Sequence, residues 1–196
     1  PDSRTRDILY IKGKLGNYDT LHFFVNHWPS RWGGQKATEA KRMRAAGIVK
    51  NKVDSILKNQ PEANIVITGD FNDYPYDISL KDTLHANFDT LKSEGLLNLM
   101  IPLAKAGEGS HKYKHEWGAL DQMIVSTALF FGEKNLQLEK SRAHIYKADW
   151  LMEEDKNYPG DKPFRTYAGP RYLGGYSDHL PIYIVLKPTR NKIVTN

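Results

Sequence analysis

Short apolar runs and turn-forming residues alternate at the start of the chain. The runs Ile8–Ile11 and Leu21–Val25 flank the turn-like segment Gly16–Asp19, and this pattern predicts a β-hairpin. From about residue 36 to residue 58, apolar residues recur every three or four positions with charged residues between them. This spacing predicts an amphipathic helix, which Pro61 ends.

The rest of the chain carries shorter signals. The β-branched run Ile65–Ile67 predicts a buried strand, and residues 77–106 are typical of one or two short helices. Further strands are predicted at residues 112–116, 120–125, 138–146 and 180–186. Residues 149–175 are rich in Gly, Pro and Tyr and predict a long loop. Strands interleaved with helices indicate an α/β or α+β fold.

Composition narrows the class of protein. The chain has 196 residues, of which 40% are hydrophobic, and a formal net charge of +5, which is typical of one globular domain. It contains no Cys, which excludes disulfides, thiolate zinc sites and a Cys nucleophile. No apolar stretch reaches about 18 residues, so no membrane span is predicted. The positive charge is spread thinly, which favours a solvated helix face over a nucleic-acid footprint.

Residues that can carry chemistry cluster at the ends of predicted strands, where a rigid scaffold presents side chains. They are His27, Asp70, Asn72, Asp121, Asp178 and His179. Carboxylate oxygens suit a hard divalent cation such as Mg²⁺. Phosphoryl transfer needs a positioned water and positive charge around the phosphate. The set therefore indicates metal-assisted attack on a phosphate ester.

Each signal also has a purely structural interpretation. The Gly-Asp-x-Asn string that ends at Asn72 favours Asx turns, and a lone His27 is more often a hydrogen-bonded structural residue. On an extended backbone, however, Asp70 and Asn72 would face one cavity, where the carboxylate accepts a proton from water and the amide holds that water or a phosphate oxygen. Asp121 precedes an apolar run, and burial there requires a partner such as a histidine.

Four strings, in chain order, resemble the motifs of a known superfamily: VNHWPSR, ITGDFND, GALDQMIVS and GYSDHLPI. They are similar to the endonuclease/exonuclease/phosphatase motifs of DNase I, exonuclease III and the neutral sphingomyelinases, over about residues 8–186. The resemblance implies an α/β (α+β) fold that forms part of a four-layer DNase I-like sandwich, with the site at one rim of two packed sheets. It also implies hydrolysis of phosphodiester or phosphomonoester bonds with Mg²⁺ or Mn²⁺.

The same resemblance implies a role for each matching residue. Asp70 would orient or deprotonate the attacking water, and Asn72 would hold that water or the phosphate. Asp178 would help to bind the metal. His179, oriented by Asp121, would contact the scissile phosphate.

His27 matches a second family histidine that binds phosphate. Substrate contacts are expected from Arg31, which could pair with a phosphate in a bidentate way, and from the aromatic residues Trp28, Tyr113 and Trp117. Two alternatives stay open at this point: Arg31 in a surface salt bridge, and Trp117 as a core residue. The core motifs specify phosphoester cleavage, and the loops decide the substrate.

The resemblance begins in the middle of the family's fold. The family's N-terminal half carries an Asn and a metal-binding Glu, so residues 1–196 are expected to be the C-terminal portion of a single domain. Half a sandwich would leave an apolar sheet face uncovered, which predicts pairing with a second copy, impaired activity, or both. A catalytically silent fragment or binding module, and an unrelated α/β protein with chance motifs, are the competing interpretations.

Partners and location follow from the same reasoning. A phosphodiester is the expected substrate, with nucleic acid among the candidates. The N-terminal string PDSRTRD has no signal-peptide pattern. The family branch that the chain resembles often carries export signals and leans toward bacterial extracytoplasmic proteins, but the sequence leaves the compartment of this chain open.

Overall fold

A six-stranded mixed sheet forms the centre of the molecule. The computed structural model describes residues 5–16, 19–91 and 95–189. The strands, in chain order, are β1 (Leu9–Lys14), β2 (Thr20–His27), β3 (Asn64–Asp70), β4 (Ala86–Asn87), β5 (Leu96–Asn98), β6 (His111–Tyr113), β7 (Glu116–Gly118), β8 (Asp121–Ser126), β9 (Leu136–Leu138), β10 (His144–Ile145), β11 (Met152–Glu154), β12 (Asp161–Pro163), β13 (Tyr167–Ala168), β14 (Arg171–Tyr172), β15 (Ile182–Tyr183) and β16 (Leu186–Pro188). The central sheet has the order β1-β2-β3-β8-β5-β4.

The predicted hairpin is present at one edge of this sheet. Strands β1 and β2 are antiparallel, with Leu9 opposite Val25, whereas residues 17 and 18 of the predicted turn lie outside the described residues. Strand β3 runs parallel to β2, and β8 runs antiparallel to β3. The ends of β2 and β3 and the start of β8 therefore meet at one end of the sheet.

Helix α1 (Gln35–Asn59) covers one face of the sheet, as its apolar spacing predicts. Its buried apolar residues follow one stripe along the helix: Ala45, Ala46, Val49, Val53 and Ile56. This stripe packs on side chains of β2 and β3, among them Phe24 and Ile67. Burial of such a stripe contributes most of the stability of an amphipathic helix.

The opposite face carries two short helices, α2 (Met100–Lys105) and α3 (Thr127–Phe131). The Ser126 hydroxyl accepts the Leu129 N–H at 3.4 Å and so caps α3, which ends at Gly132 with a φ of 68°. Helices on both faces of a central sheet confirm the predicted mixed α/β class. Within the described ranges, none of the helices has the length and apolarity needed to cross a bilayer.

Part of the sheet near β1 remains open to solvent on an apolar face. Leu9 is 56% exposed, Ile11 47% and Val25 38%. Leu9 and Val25 are directly opposite in the hairpin register and therefore point to the same face. The half-sandwich organisation and pairing with a second copy through this surface both stay predictions.

Several predicted elements are shorter or more broken than their patterns suggest. The strand predicted at 138–146 is divided into β9 and β10 by a 3₁₀ turn in which Lys140 and Ser141 have positive φ. The strand predicted at 180–186 is present only as β15 and the start of β16, and residues 184–185 between them belong to neither strand. The predicted 149–175 loop contains two small hairpins, β11–β12 and β13–β14. Residues 77–106 hold α2, a π-helical turn (Ser79–Thr83) and the unpredicted strands β4 and β5.

Candidate active site

Three of the predicted residues lie side by side where the central strands meet. His27 is the last residue of β2, Asp70 is the last of β3 and Asp121 is the first of β8. The strand register pairs His27 with Asp70 and Asp70 with Asp121. His27 Nε2 lies 3.6 Å from Asp70 Oδ2. Backbone pairing alone thus brings together two carboxylates and an imidazole from three separate segments.

Asp70 and Asn72 are joined through a tight turn and not through an extended strand. Strand β3 ends at Asp70, and Asn72 has a left-handed φ of 51°. Asp70 Oδ1 accepts the Asn72 backbone N–H at 2.8 Å, and Oδ2 accepts Asn72 Nδ2 at 2.9 Å. The expectation of extended geometry is therefore wrong, because the Asx turn takes its place. Both side chains nevertheless face the same cavity.

His179 and Asp121 form the hydrogen-bonded pair that the sequence predicts. His179 Nδ1 donates to Asp121 Oδ2 at 2.7 Å, since a carboxylate oxygen can only accept. The Ser110 hydroxyl donates to the same Oδ2 atom. Two donors on one oxygen hold the carboxylate in place, and the bond to Nδ1 leaves His179 Nε2 available to a ligand.

The electrostatics of the site favour a base and an acid next to each other. Burial raises the pKa of the Asp70 carboxyl, and the nearby Asp121 carboxylate raises it further. The Asn72 N–H and the imidazoles of His179 and His27 lower this pKa, but by less than the other two effects raise it. Burial opposes protonation of His179, but the Asp121 hydrogen bond and the surrounding carboxylates outweigh it and raise the pKa of the imidazole. Perturbed titration of neighbouring groups is typical of functional sites.

The same residues satisfy the donor requirements of a divalent cation. One ligand atom from each of Asp70, Asp121 and His179 lies within 4.8 Å of the other two. Two adjacent carboxylates repel each other unless a cation or a proton lies between them, and oxygen-rich donors suit Mg²⁺ or Mn²⁺. The Asp70 and Asp121 carboxylates would hold the ion, and His179, whose Nδ1 is bound to Asp121, would lie beside it.

Asp178, the predicted metal ligand, lies in the same cavity but outside that group of three. Its Oδ2 atom accepts Arg165 Nη2 at 2.8 Å. Burial disfavours the charged form, but His179 and Arg165 outweigh this effect and hold the pKa of Asp178 below its usual value. A role for Asp178 as a metal ligand stays a prediction.

A cavity of about 860 Å³ opens above these groups. It brings together eight of the residues that the sequence singles out, namely His27, Arg31, Asp70, Asn72, Tyr113, Asp121, Asp178 and His179. They come from four distant stretches of the chain. A concave site with convergent polar groups and perturbed pKa values is where binding and catalysis are expected.

Trp28 does not contact this cavity, and its predicted role in substrate binding is wrong. The side chain is buried, with 1% exposure, and its ring packs on Phe71 at a centroid distance of 4.3 Å. The indole Nε1 donates to Asn26 Oδ1 at 3.0 Å. Trp28 contributes to the site through its backbone: its N–H donates to the Asp70 carbonyl at 2.8 Å, and its carbonyl accepts Asn72 Nδ2 at 3.1 Å.

Arg31 lies at the cavity wall but its guanidinium is already engaged. Nε donates to the Asn72 carbonyl at 2.7 Å, and Nη2 donates to Asp77 at 2.5 Å and to Asp73 at 3.2 Å. A bidentate grip on phosphate needs two neighbouring nitrogens of the guanidinium, so the predicted bidentate pairing is not available in this arrangement. The salt-bridge alternative describes the structure, and Arg31 supports the Asn72 turn.

Trp117 lies outside the cavity lining, whereas Tyr113 is part of it. Lys147 Nζ lies over the Trp117 ring, 4.5 Å from its centroid, in a cation–π contact. Tyr113 is 67% exposed at the rim. Stacking of a substrate on Trp117 or Tyr113 stays a prediction.

His111 is a site residue that the sequence analysis missed. It belongs to β6, lines the cavity, and its ring packs against His179 at a centroid distance of 4.7 Å. Burial lowers the pKa of His111, and the neighbouring His179 lowers it further. The available signal was its position immediately before the predicted 112–116 strand, two residues from Tyr113.

Comparison with known proteins gives one family match and several matches in fold. The sequence model of the Endonuclease/Exonuclease/phosphatase family matches residues 1–188. Comparison with curated proteins gave no match. Among solved structures, a humanized D. rerio TDP2 covers 92% of the chain at a TM-score of 0.52 and 15% identity, and the chain covers 60% of that protein.

Two further structures agree in fold. The D. rerio TDP2 complex with a single-strand DNA product covers 92% of this chain at TM-score 0.52 and 15% identity, and 61% of that chain is covered. TDP2 from C. elegans covers 89% at TM-score 0.51 and 14% identity, with 44% of that chain covered. The chain therefore spans about 60% or less of the length of these structures. At such identities the likeness concerns the fold.

Proposed function

This chain belongs to the endonuclease/exonuclease/phosphatase family, whose members hydrolyse phosphodiester or phosphomonoester bonds, and we propose that the cavity around Asp70 and His179 is a divalent-metal-dependent phosphodiesterase site. The observation that carries the proposal is the convergence of Asp70, Asp121 and His179 ligand atoms within 4.8 Å, from three separate segments. A bound Mg²⁺ or Mn²⁺ would supply positive charge to the phosphate oxygens and lower the pKa of a bound water.

Asp70 is the proposed base toward the attacking water. Its raised pKa makes the carboxylate a stronger proton acceptor than an ordinary aspartate. Asn72 holds both carboxylate oxygens through its backbone N–H and its amide, which fixes the direction of the remaining lone pairs. Arg31 and the Trp28 carbonyl in turn hold Asn72. The base is therefore oriented before a substrate arrives.

His179 is the proposed phosphate contact. Its raised pKa favours the imidazolium, and with Nδ1 bound to Asp121 the Nε2–H is the free donor for a phosphate oxygen. His27, next to Asp70, offers a second imidazole to the same phosphate. The class of substrate, the identity of the bound ion and the activity of the full-length protein are all parts of this proposal. Weak activity of the present chain alone is a further part of it.

Hydrolysis of bis-p-nitrophenyl phosphate by the full-length protein tests the proposal. Asp70→Asn and His179→Ala are expected to lower kcat/KM by about a hundredfold or more, since each removes a group that acts on the reacting atoms. Asp54→Asn, on the exposed face of α1, is the matched control and should retain the activity. A silent binding module would show no metal-dependent hydrolysis in any variant, and unchanged turnover in Asp70→Asn would refute the assigned roles.

A further inference from the structure

A second cavity of about 480 Å³ adjoins the candidate active site. Ser30 lines both cavities, so the two lie on either side of this residue. The other walls include Arg6, Trp32 and Lys41. None of these residues has a role in the proposed hydrolysis.

A shared hydrogen-bond acceptor places the second cavity close to the reacting groups. Arg6 Nη1 donates to the Trp28 carbonyl at 3.2 Å, and Asn72 Nδ2 donates to the same oxygen at 3.1 Å. The Arg6 guanidinium is thus separated from Asn72 by one carbonyl oxygen. A ligand group bound at Arg6 would be a near neighbour of a phosphate held at Asp70.

The two cavities differ in charge. Acidic and basic side chains both line the first, among them Asp70, Asp121, Arg31 and His179. The described lining of the second contains Arg6 and Lys41 and no acidic side chain. Within the described ranges neither cation has an ion-pair partner. The second cavity therefore attracts an anion with no acidic side chain in its described lining to oppose it.

Trp32 adds a stacking surface to these two cations. It is 88% exposed on a turn closed by the Gly34 N–H to the Arg31 carbonyl at 2.8 Å. A large exposed aromatic ring on a short turn offers area at little conformational cost. A ligand with a planar ring and an anionic group would stack its ring on the indole and pair its anion with the two cations.

The geometry points to a nucleotide-binding subsite, in which Arg6 and Lys41 bind the phosphate next to the scissile one and Trp32 stacks on its base. This inference rests on the proposed function, and it names the substrate class as phosphodiesters that carry a nucleotide unit beside the bond to be cut. A compact sugar phosphate would leave the second cavity empty.

Binding measured without turnover tests the subsite separately from catalysis. In the Asp70→Asn background of the full-length protein, fluorescence anisotropy gives the Kd of a labelled single-stranded oligonucleotide and of the same oligomer made with abasic residues. Trp32→Ala should raise the Kd about tenfold for the oligomer with bases, since base stacking on an aromatic ring has that magnitude. The same variant should leave the Kd of the abasic oligomer almost unchanged.

Removal of the positive charges of Arg6 and Lys41 should change binding in a different way from removal of the Trp32 ring. Arg6→Gln with Lys41→Gln should weaken both oligomers alike and reduce the slope of log K against log salt by about one to two. Lys36→Gln, an exposed lysine on the same helix, and Trp150→Ala, an exposed tryptophan elsewhere, are the matched controls. Equal Kd values for the Trp32→Ala variant and its parent, or an equal loss on both oligomers, would overturn the subsite whether or not the enzyme hydrolyses phosphodiesters.

Discussion

Arg42 and Asp73 form an ion pair that is closed off from solvent. Arg42 Nε lies 2.7 Å from Asp73 Oδ1, and neither side chain is exposed. The Asp73 carboxylate also accepts the Ser79 hydroxyl at 2.6 Å and Arg31 Nη2 at 3.2 Å. Since Arg31 Nε donates to the Asn72 carbonyl, the buried pair anchors the turn that orients the site.

Loss of one partner of this pair should destabilise the whole fold. Asp73→Ala leaves Arg42 charged and buried, and we expect it to lower the free energy of unfolding by about 3–5 kcal/mol in urea denaturation. Asp54→Ala removes a carboxylate from the exposed Lys50–Asp54 pair and should cost less than about 1 kcal/mol. Equal losses in the two variants would contradict the role given to Asp73.

Gly69 should tolerate no side chain. Its φ is 130°, and an added Cβ would overlap the Asn26 carbonyl oxygen on the neighbouring strand. We expect Gly69→Ala to lower the free energy of unfolding by more than about 4 kcal/mol, because clash and backbone strain add. Gly13→Ala is the control, since nothing lies within 4 Å of its Cβ. Comparable midpoints of denaturation in the two variants would refute the argument.

The pH dependence of kcat/KM should follow the two raised pKa values. Asp70 must be ionised to accept a proton, so activity should fall as the pH drops through its raised pKa, above the usual aspartate range. His179 must be protonated to donate, so activity should fall as the pH rises through its raised pKa, above the usual histidine range. The measurement is kcat/KM of the full-length protein on bis-p-nitrophenyl phosphate as a function of pH. A profile whose two limbs follow the usual pKa values of aspartate and histidine would contradict this assignment.

Asp121→Asn tests the cause of the alkaline limb. The substitution removes the charge that raises the pKa of His179, so we expect the alkaline limb to move to lower pH. The acid limb should also move down, since Asp121 raises the pKa of Asp70. Both limbs unmoved in Asp121→Asn would show that other groups control the profile.

His111 should contribute to turnover through its ring nitrogens. His111→Phe retains a ring that packs on His179 but removes both nitrogens from the cavity. We expect kcat/KM to fall about tenfold or more, the size of a lost hydrogen bond to a charged group, with Tm little changed. His144→Phe is the matched control, because that imidazole stacks on Tyr183 away from the cavity. Equal kinetics for the two variants would exclude His111.

The long, strongly patterned elements and the family can be predicted from the sequence. In helix α1 and strands β2, β3 and β8, apolar residues recur over several positions because these positions are buried in the structure. Two-residue strands such as β4 and β10 exist because of tertiary contacts, which leave no periodic signal in so short a segment. The meeting of His27, Asp70 and Asp121 followed from their positions at strand ends.

The pattern of hydrophobic and polar residues does not predict which side chains contact each other. Nothing in the string NHWPSR separates Trp28, which is buried, from Arg31, which reaches the rim. His111 gains its place through an isolated bridge to His179, a long-range pairing that local sequence does not encode. The Asp70–Asn72 turn matches the structural interpretation, while both side chains line the cavity, so their functional role stays a proposal.

The order β1-β2-β3-β8-β5-β4 also has a consequence for how the protein acquires its activity. Strand β8 is inserted between β3 and β5, so Asp121 reaches Asp70 only after a large chain loop has closed. Closing such loops is slow compared with forming helix α1 or the first hairpin. During refolding from denaturant, helical signal should therefore return well before the chain regains any capacity for turnover.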